Sequence, residues 1–410
     1  MVNFMTCEEE NGHTFKKKKL KYIVSTPITD GPHETPELLD EGIPFLSAES
    51  VKNGILDFNY KRGYISLSDH KLFCKKVRPQ KNDIFIVKSG ATTGNCGIVT
   101  TDEEFSIWSP LALIRCDNIY VLQKFIYYYS LCYSFTHQVE QSWSYGTQQN
   151  IGMGVLGNLY VTLPSSKEQQ SIVDYLDKEC AQIDSIVADL EKQIELLQQY
   201  KKSLITETVT KGLDKSVPMK DSGVEWIGKI PDHWDAKRMK YFLSVSSGDA
   251  ITNEQLEDGE YPVYGGGKQM GYFNRTNVDK NKILIGRVGA NCGCVTITDV
   301  PSWATDNALV VQTYCHFKYI YYILISADLN RLNEANAQPL ITGAKVGNCV
   351  VSFTKNYAEQ EEIARYLDEH CEKIENIIAG KQEQLETIRQ HKKSLIYEYV
   401  TGKKRVKEVQ

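Results

Sequence analysis

The sequence predicts an α+β protein with the layout of a pseudo-two-fold tandem repeat. Two similar globular domains are expected to be separated by two long antiparallel coiled-coil helices. Three observations predict this architecture. A long segment with an apolar helical pattern occurs twice, the globular sequence before each copy is also related, and insertions occur only in the globular parts.

The duplicated segment covers residues 168–211 and 359–402, which align at a constant offset of 191 without a gap. Apolar residues in both copies are mostly three or four positions apart, the period of an apolar seam along one helix. Neither copy contains proline, so each predicts a helix of about 44 residues and about 65 Å. The predicted seam consists of Ile172, Leu176, Ile183, Val187, Leu190, Ile194, Leu197, Leu204, Ile363, Leu367, Ile374, Ile378, Leu385, Ile388 and Leu395.

The globular parts repeat less strictly than the helices. Residues 19–25 resemble 238–244 at an offset of 219, whereas residues 124–128 resemble 318–322 at an offset of 194. One interpretation is that the helix pair only adds stability. The alternative is that helix length itself matters for function, because insertions are tolerated everywhere except in the helices.

The repeat predicts a division of the chain into successive segments. Ser165 or Ser166 is expected to cap the first long helix, and Trp226 and Trp234 suggest that the segment between the repeats also packs against something. The segments are a first globular domain at 1–163 with a charged leader at 1–18, a long helix at 164–211, a linker at 212–237, a second globular domain at 238–354, a long helix at 355–402 and a tail at 403–410.

Short apolar runs and turn residues predict the same elements in both globular domains. Strands are expected at 83–88, 97–101 and 111–115, and again at 282–287, 293–298 and 307–312. Helices are expected at 118–139 and 315–335, followed by polar loops at 145–150 and 342–345.

Composition argues for a cytoplasmic protein with real hydrophobic cores. Hydrophobic residues make up 41% of the chain, and the net charge of −5 is a mild argument against a simple nucleic-acid binder. The eleven cysteines form neither a zinc pattern nor a secreted disulfide framework, so they are expected to be reduced. The N-terminus is not a signal peptide, and no apolar run reaches the ~20 residues of a membrane span.

Several motifs resemble the specificity subunits of type I restriction-modification systems. They are DSGVEWIG at 221–228 with IPDHW at 230–234, the Glu-Gln pairs at 168–169 and 359–360, and KKSLI at 201–205. The resemblance covers residues 19–402. The chain departs from the family pattern in two places: DSGxEWIG is missing before Lys19, and the second long helix lacks the preceding Leu163-Pro164 of the first.

The resemblance implies what this chain and its partners do. Two target-recognition domains would each read one half of a bipartite target in double-stranded DNA. The long helices would hold them apart and dock two modification (methyltransferase) subunits, and restriction (translocase/endonuclease) subunits would join through the complex. The partner subunits would use S-adenosylmethionine, ATP and Mg, and this chain would bind none of these cofactors.

The residues show no catalytic motif of their own. No adenine-methyltransferase motif and no GxGxxG after a strand are present, and Gly265-Gly266-Gly267-Lys268 lacks the Ser or Thr that follows the lysine of a phosphate-binding loop. The eight histidines have no metal-ligand spacing. We therefore predict no catalytic residue and no metal site.

Polar loops at strand ends are the candidate DNA contacts. Lysine and arginine attract phosphate, and Arg, Asn and Gln can make two-point hydrogen bonds to base edges. The alternative is that these are only glycine-rich turns of a β-domain, and for residues 265–268 a plain hairpin turn. The candidates are Lys88, Ser89, Thr92, Thr93, Asn95, Thr147, Gln148, Gln149, Asn150, Lys268, Gln269, Arg275, Arg287, Asn291 and Lys345.

Two further lysine features allow more than one interpretation. Residues 16–19 are predicted to be a solvated part of the leader or an arm that binds the DNA backbone. Lys201 and Lys392 fall on the apolar seam at equivalent positions, where they either fix the register of the helices or are simply solvated. A helical-hairpin scaffold for protein partners without specific DNA binding, and a stand-alone DNA enzyme, are the alternative functions.

Overall fold

The computed structural model describes residues 15–116, 119–145, 149–252, 256, 259–332 and 340–406. The chain divides into two compact units, residues 1–190 with 384–410 (unit 1) and residues 191–383 (unit 2). Each unit therefore contains one globular domain together with one half of each long helix.

Unit 1 begins with a β-rich domain. Its helices are α1 (Leu67–Phe73), α2 (Gln123–Leu131), α3 (Tyr133–Gln141) and α4 (Met153–Asn158). Its strands are β1 (Lys16–Lys19), β2 (Thr29–Asp30), β3 (Ile43–Leu46), β4 (Val51–Lys52), β5 (Ile55–Leu56), β6 (Gly63–Ile65), β7 (Ile84–Val87), β8 (Cys96–Ile98), β9 (Ser106–Ile107), β10 (Leu111–Ile114), β11 (Ser144–Tyr145), β12 (Gln149–Asn150) and β13 (Tyr160–Leu163).

A six-stranded sheet in the order β2-β10-β7-β8-β5-β4 forms the centre of unit 1. Every residue of β7 and of β10 is buried, as expected for continuous apolar runs in central strands. A second sheet has the order β6-β3-β9, and the pairs β1-β13 and β11-β12 lie outside both. The main core joins β7 and β10 to α2, α3 and the long helices.

Unit 2 repeats this plan with fewer strands. Its short helices are α6 (Phe317–Ser326) and α7 (Gly343–Asn348). Its strands are β14 (Met219–Asp221), β15 (Lys229–Pro231), β16 (Asp235–Arg238), β17 (Leu243–Ser247), β18 (Tyr261–Gly265), β19 (Lys268–Phe273), β20 (Ile283–Gly286), β21 (Val295–Ile297), β22 (Trp303–Ala304), β23 (Ala308–Thr313) and β24 (Val350–Phe353). They form sheets β17-β23-β20-β21 and β19-β18-β22, and the pairs β16-β24 and β14-β15.

The long helices are α5 (Ser166–Lys211) and α8 (Tyr357–Val400). Ser165 caps α5, since its hydroxyl oxygen accepts from the Glu168 backbone N–H at 3.3 Å and Glu168 Oε2 accepts from the Ser165 N–H at 3.1 Å. All fifteen seam residues are buried or half-buried. The predicted α+β tandem architecture is confirmed.

Equivalent ion pairs join the two helices in each unit. In unit 1 Lys392 Nζ donates to Asp184 Oδ1 at 2.5 Å, and in unit 2 Lys201 Nζ pairs with Glu375. These residues are related by the offset of 191. Because both lysines bind a carboxylate on the opposite helix, the contacts favour a role in register over simple solvation.

Two polar contacts, repeated in both units, fasten each globular domain to the long helix that follows it. Buried Gln169 accepts the Leu122 N–H at 2.9 Å, and its counterpart Gln360 accepts the His316 N–H at 3.0 Å. Asp177 accepts Lys124 Nζ at 2.5 Å and the Tyr128 hydroxyl at 2.6 Å. The counterparts Lys318, Tyr322 and Asp368 repeat this group in unit 2 at 2.6 and 2.8 Å.

Both predicted domain helices are shorter than expected. The prediction of one helix at 118–139 is wrong, because Cys132 has extended backbone (φ −82°, ψ 153°) and separates α2 from α3. The bend allows Phe135 and Val139 to enter the core that holds Phe125. The helix predicted at 315–335 ends at Ser326, since Asp328 adopts a positive φ of 47°.

Two segments predicted without regular structure contain strands. Lys16–Lys19 forms β1, antiparallel to β13, and three of its four lysines are exposed, so these residues are solvated but lie in a strand. Residues 1–14 lie outside the described part of the chain. The predicted linker contains β14 and β15. Its Trp234 is fully buried and donates Nε1–H to Glu359 Oε1 at 2.9 Å.

In the described part of the chain, no helix carries an apolar stretch long enough to cross a membrane.

Shortening a seam side chain should destabilise the unit that contains it. Leu367 is fully buried on α8, so Leu367→Ala should lower the free energy of unfolding by about 2–5 kcal/mol, measured by urea denaturation. Ile377 on the same helix is 49% exposed, and Ile377→Ala should change it by about 0.5 kcal/mol or less. Equal losses of stability from both variants would contradict the prediction that Leu367 lies in the apolar seam and Ile377 outside it.

Candidate nucleic-acid interface

In unit 1 the structure brings two predicted loops together. Ser89 and Asn150 form an isolated antiparallel bridge, and the Gly90 N–H donates to the Gln149 carbonyl at 3.1 Å. The Ile151 N–H donates to the Lys88 carbonyl at 2.8 Å. Residues 88–95 and 149–150 therefore form one surface. The candidates Thr147 and Gln148 lie outside the described residues.

Unit 2 joins the equivalent loops in the same way. Val288 bridges Leu340, and the Ile341 N–H donates to the Arg287 carbonyl at 2.9 Å. A third element, the turn between β18 and β19, lies beside them. Gly266 N–H and Arg287 N–H both donate to the Asn307 carbonyl, at 3.1 and 3.0 Å.

The turn between β18 and β19 is a two-residue hairpin. Gly266 (φ 58°) and Gly267 (φ 89°) both adopt left-handed backbone, which this tight hairpin requires and which glycine adopts without strain. A Cβ on Gly267 would also lie 2.9 Å from the Cys294 Cβ. Lys268 and Gln269 follow the turn and are exposed.

Lys88 is held by an internal ion pair. Its Nζ contacts Asp30 Oδ2, and Lys76 Nζ donates to Asp30 Oδ1 at 2.6 Å. Burial alone would raise the pKa of the Asp30 carboxyl, but the hydrogen bonds and charges of Lys76 and Lys88 outweigh it and lower the pKa below its usual value. Lys88 thus anchors the base of its loop.

Three other candidates also make internal contacts. Arg287 Nη1 donates to Ser247 Oγ at 3.2 Å, and Lys345 Nζ donates to the Leu332 carbonyl at 3.2 Å. Thr93 is buried, and its hydroxyl donates to the Gly90 carbonyl at 2.6 Å. These side chains, like Lys88, shape the loops.

The remaining candidates are more accessible. Ser89 and Asn291 are half-buried. Arg275 is exposed but lies beyond the end of β19 that is remote from the hairpin turn, so it is separated from the other candidates. The other exposed candidates are Thr92, Asn95, Gln149, Asn150, Lys268 and Gln269.

Sequence reasoning missed several accessible apolar and aromatic side chains of the two globular domains. Met270 and Tyr272 on β19 are each 49% exposed. In unit 1 Arg62 lies over the Trp108 ring at 4.1 Å, and Lys52 lies over the Tyr60 ring at 5.0 Å. No residue of the stretch KQMGYF is fully buried, and its apolar and polar residues do not alternate, so the sequence does not mark Met270 and Tyr272 as exposed.

The two units differ most where the hairpin lies. In unit 2 β18 and β19 are joined by two residues, whereas in unit 1 residues 47–62, with β4 and β5, connect the equivalent strands β3 and β6. The hairpin that lies beside the shared loops of unit 2 is therefore replaced in unit 1 by a longer connection, and the two domains present different side chains.

The described residues contain no cluster of three or more His, Cys, Asp or Glu side chains that could hold a metal ion.

Comparisons with known proteins agree on one family. A family model described as type I restriction modification DNA specificity domain matches residues 10–196 and 231–387. The type I restriction enzyme MjaVIII specificity subunit of Methanocaldococcus jannaschii is 22% identical over 91% of this chain and 88% of its own length. The type I restriction enzyme EcoprrI specificity subunit of Escherichia coli is 24% identical over 87% of this chain and 84% of its own length.

A solved structure has a similar fold. It belongs to a study of complex assembly and conformational transition in the type I restriction-modification system. The TM-score is 0.70 at 11% sequence identity, covering 96% of this chain and all of the other.

Removing the Asp30 carboxylate should destabilise unit 1 in a pH-dependent way. The pKa of Asp30 is lowered by folding, so its contribution is present above the unfolded value of about 3.9 and is lost as the pH falls through the folded value. Asp30→Asn should cost about 1–3 kcal/mol at pH 7, and urea denaturation should show this difference shrinking below about pH 4.

Asp102→Asn is the matched control, because the Asp102 carboxylate is 76% exposed and pairs with Lys81 on the surface. It should cost less than about 1 kcal/mol. A cost for Asp30→Asn that stays constant or grows in acid would show that the ion pair does not stabilise the loop.

Proposed function

The chain belongs to the type I restriction-modification DNA specificity family, and from that premise we propose that it recognises a bipartite DNA target. In this proposal it is a non-catalytic subunit that directs methylation and cleavage by partner chains. The observation that carries the proposal is the duplicated loop surface. Each unit presents one such surface on a domain fastened to a long helix by the same buried contacts.

The exposed side chains on these surfaces have the chemistry that DNA recognition needs. The amides of Asn95, Gln149 and Gln269 are exposed, and Asn or Gln can bond adenine N6 and N7 at two points. Lys268 stands beside Gln269, where it can contact a phosphate. A two-stranded ribbon such as β18-β19 fits the major groove.

The two half-sites should differ in sequence. In unit 2 the hairpin of β18 and β19 lies beside the shared loops, whereas in unit 1 the longer connection with β4 and β5 takes its place. Different side chains at the groove read different bases. If both domains face the same side of the duplex, the half-sites lie about one helical turn, or about 34 Å, apart.

Catalysis is proposed to come from partner subunits. Two modification subunits would dock on the long helices, and restriction subunits would join through the complex, with S-adenosylmethionine, ATP and Mg bound by those chains. Ile186 on α5 and its equivalent Ile377 on α8 are 48% and 49% exposed, one in each unit, and are candidate contacts for this docking.

The direct test is to map methylated adenines across a genome after co-expressing the chain with its cognate modification subunit. The expected result is one split motif with two dissimilar halves. A continuous motif would contradict the bipartite target. If no motif appears while the subunits still associate, the chain acts as a protein scaffold without specific DNA binding.

The same methylation mapping can test whether the β18-β19 hairpin reads the second half-site. Lys268→Ala with Gln269→Ala should alter or relax the second half-site and leave the first unchanged, because both residues lie in unit 2. Losing a two-point base contact costs about 1–3 kcal/mol of discrimination. The matched control is Lys280→Ala, another exposed lysine of unit 2, which should leave the motif unchanged.

A further inference from the structure

We propose that a lysine-rich surface on β1, outside the recognition loops, binds DNA phosphates next to the first half-site. This inference rests on the proposed DNA-binding function. We call the surface the β1 lysine face and define it as Lys17, Lys19 and Lys21 with the rings of Tyr22 and Tyr160. The proposal adds a binding surface of unit 1 that does not read bases.

The geometry of β1 separates its lysines into two sets. In the antiparallel register Lys17 lies opposite Thr162 and Lys19 opposite Tyr160. Lys16 and Lys18 lie opposite Leu163 and Val161, which are buried. Since alternate residues of a strand share a face, Lys17 and Lys19 lie on the face that carries Tyr160, with Lys17 exposed and Lys19 half-buried. Lys16 and Lys18 are also exposed to solvent.

The three lysines of the face rest on aromatic rings. Lys17 Nζ is 4.5 Å and Lys19 Nζ is 5.5 Å from the centre of the Tyr160 ring, and Lys21 Nζ is 5.2 Å from that of Tyr22. Within the described residues none of the three lies within 4 Å of a carboxylate. A ring orients an ammonium group without cancelling its charge, so the face stays positive.

The β1 lysine face lies close to the recognition loop of the same unit. Helix α4 begins at Met153, shortly after Asn150, and ends at Asn158, whose Oδ1 accepts Lys19 Nζ at 3.4 Å. The six residues of α4 span about 9 Å at 1.5 Å per residue. That length corresponds to about three base pairs at 3.4 Å each.

Helix α4, which connects the loop to the face, carries no acidic residue. The sequence of α4 is MGVLGN, and Gly157 packs so closely that a Cβ there would lie 3.4 Å from the Lys21 Cβ. A duplex that contacts Gln149 and Asn150 could therefore continue to the lysines over α4, which presents no negative charge to it. Its phosphates are the complementary group.

Unit 2 has the same backbone but a weaker charge at this place. Strand β16 pairs with β24 as β1 pairs with β13, and a Cβ on Gly347 would lie 3.3 Å from the Lys240 Cβ. Asp235, which begins β16, pairs with Lys355 at 2.9 Å. At the positions of Lys17, Lys19 and Lys21, unit 2 has Ala236, Arg238 and Lys240. It therefore keeps two of the three cations of the face, and Val350 takes the place of the Tyr160 ring.

The composition favours DNA over a protein partner. Lysine is depleted in protein–protein interfaces, whereas lysine contacts to phosphate are common in protein–DNA complexes. The centre of the face consists of ammonium groups on tyrosine rings, with no buried apolar anchor of the kind that dominates protein interfaces.

The test compares salt dependence of DNA binding for the full chain assembled with its cognate modification subunits. The variant is Lys17→Gln, Lys19→Gln and Lys21→Gln together, and the probe is a duplex of about 40 base pairs containing the mapped motif. Each lost phosphate contact reduces the slope of log K against log salt by about 0.9, so the slope should fall by about 2–3. The methylated motif should stay the same.

Lys71→Gln, Lys75→Gln and Lys81→Gln form the control, since all three lysines are exposed in unit 1 and lie outside the long helices. A slope that falls only in the first variant, with loss of hydroxyl-radical protection about three base pairs from the first half-site, supports the proposal. An unchanged slope, or an equal fall in the control, overturns it. Normal DNA binding by the first variant together with loss of the modification subunits also overturns the proposal, because the lysines would then bind protein. If the unaltered complex itself shows no motif-specific binding, the proposed function fails instead.

Discussion

The apolar contact between α5 and α8 is the constraint on which the rest of the structure depends. Leu176 in unit 1 and Leu367 in unit 2 occupy equivalent seam positions and are fully buried. Apolar contacts alone allow a helix pair to slide, because one leucine packs much like another. Lys392 with Asp184, and Lys201 with Glu375, add a charge that is matched in one register only. The fixed register prevents the two helices from sliding past each other, so the length of the paired helices is defined.

A defined helix length affects recognition only if the domains are fixed to the helices. Gln169 and Gln360 supply this connection. Each buried amide lies near the start of a long helix and accepts a backbone N–H from the residue that directly precedes α2 or α6. The Lys–Asp–Tyr groups centred on Asp177 and Asp368 bind the same domain helix about two turns further along the long helix. Both devices are polar and directional, so they restrict rotation of the domain about the helix as well as separation from it.

The sequence predicts the repetitive features of this chain well, because they are local. The seam period, the buried strands β7 and β20 and the cap at Ser165 follow from residues that are neighbours in sequence. The site is different. Lys88 is recognisable as a cation after a strand, but its partner Asp30 is 58 residues away and converts it from a candidate phosphate contact into a loop anchor. The extended backbone at Cys132 and the pairing of Lys16–Lys19 with β13 likewise depend on tertiary packing. No local pattern encodes them.

The central claim is that the paired helices set the distance between the two half-sites. Seven residues that continue the seam would be inserted in α5 between Leu190 and Glu191, and in α8 between Glu383 and Gln384, where the two units meet in sequence. This adds about two turns, or about 10 Å, to each helix and preserves the seam. Methylation mapping should then return the same two half-sites with a spacer about three base pairs longer. The same half-sites with an unchanged spacer would contradict the claim.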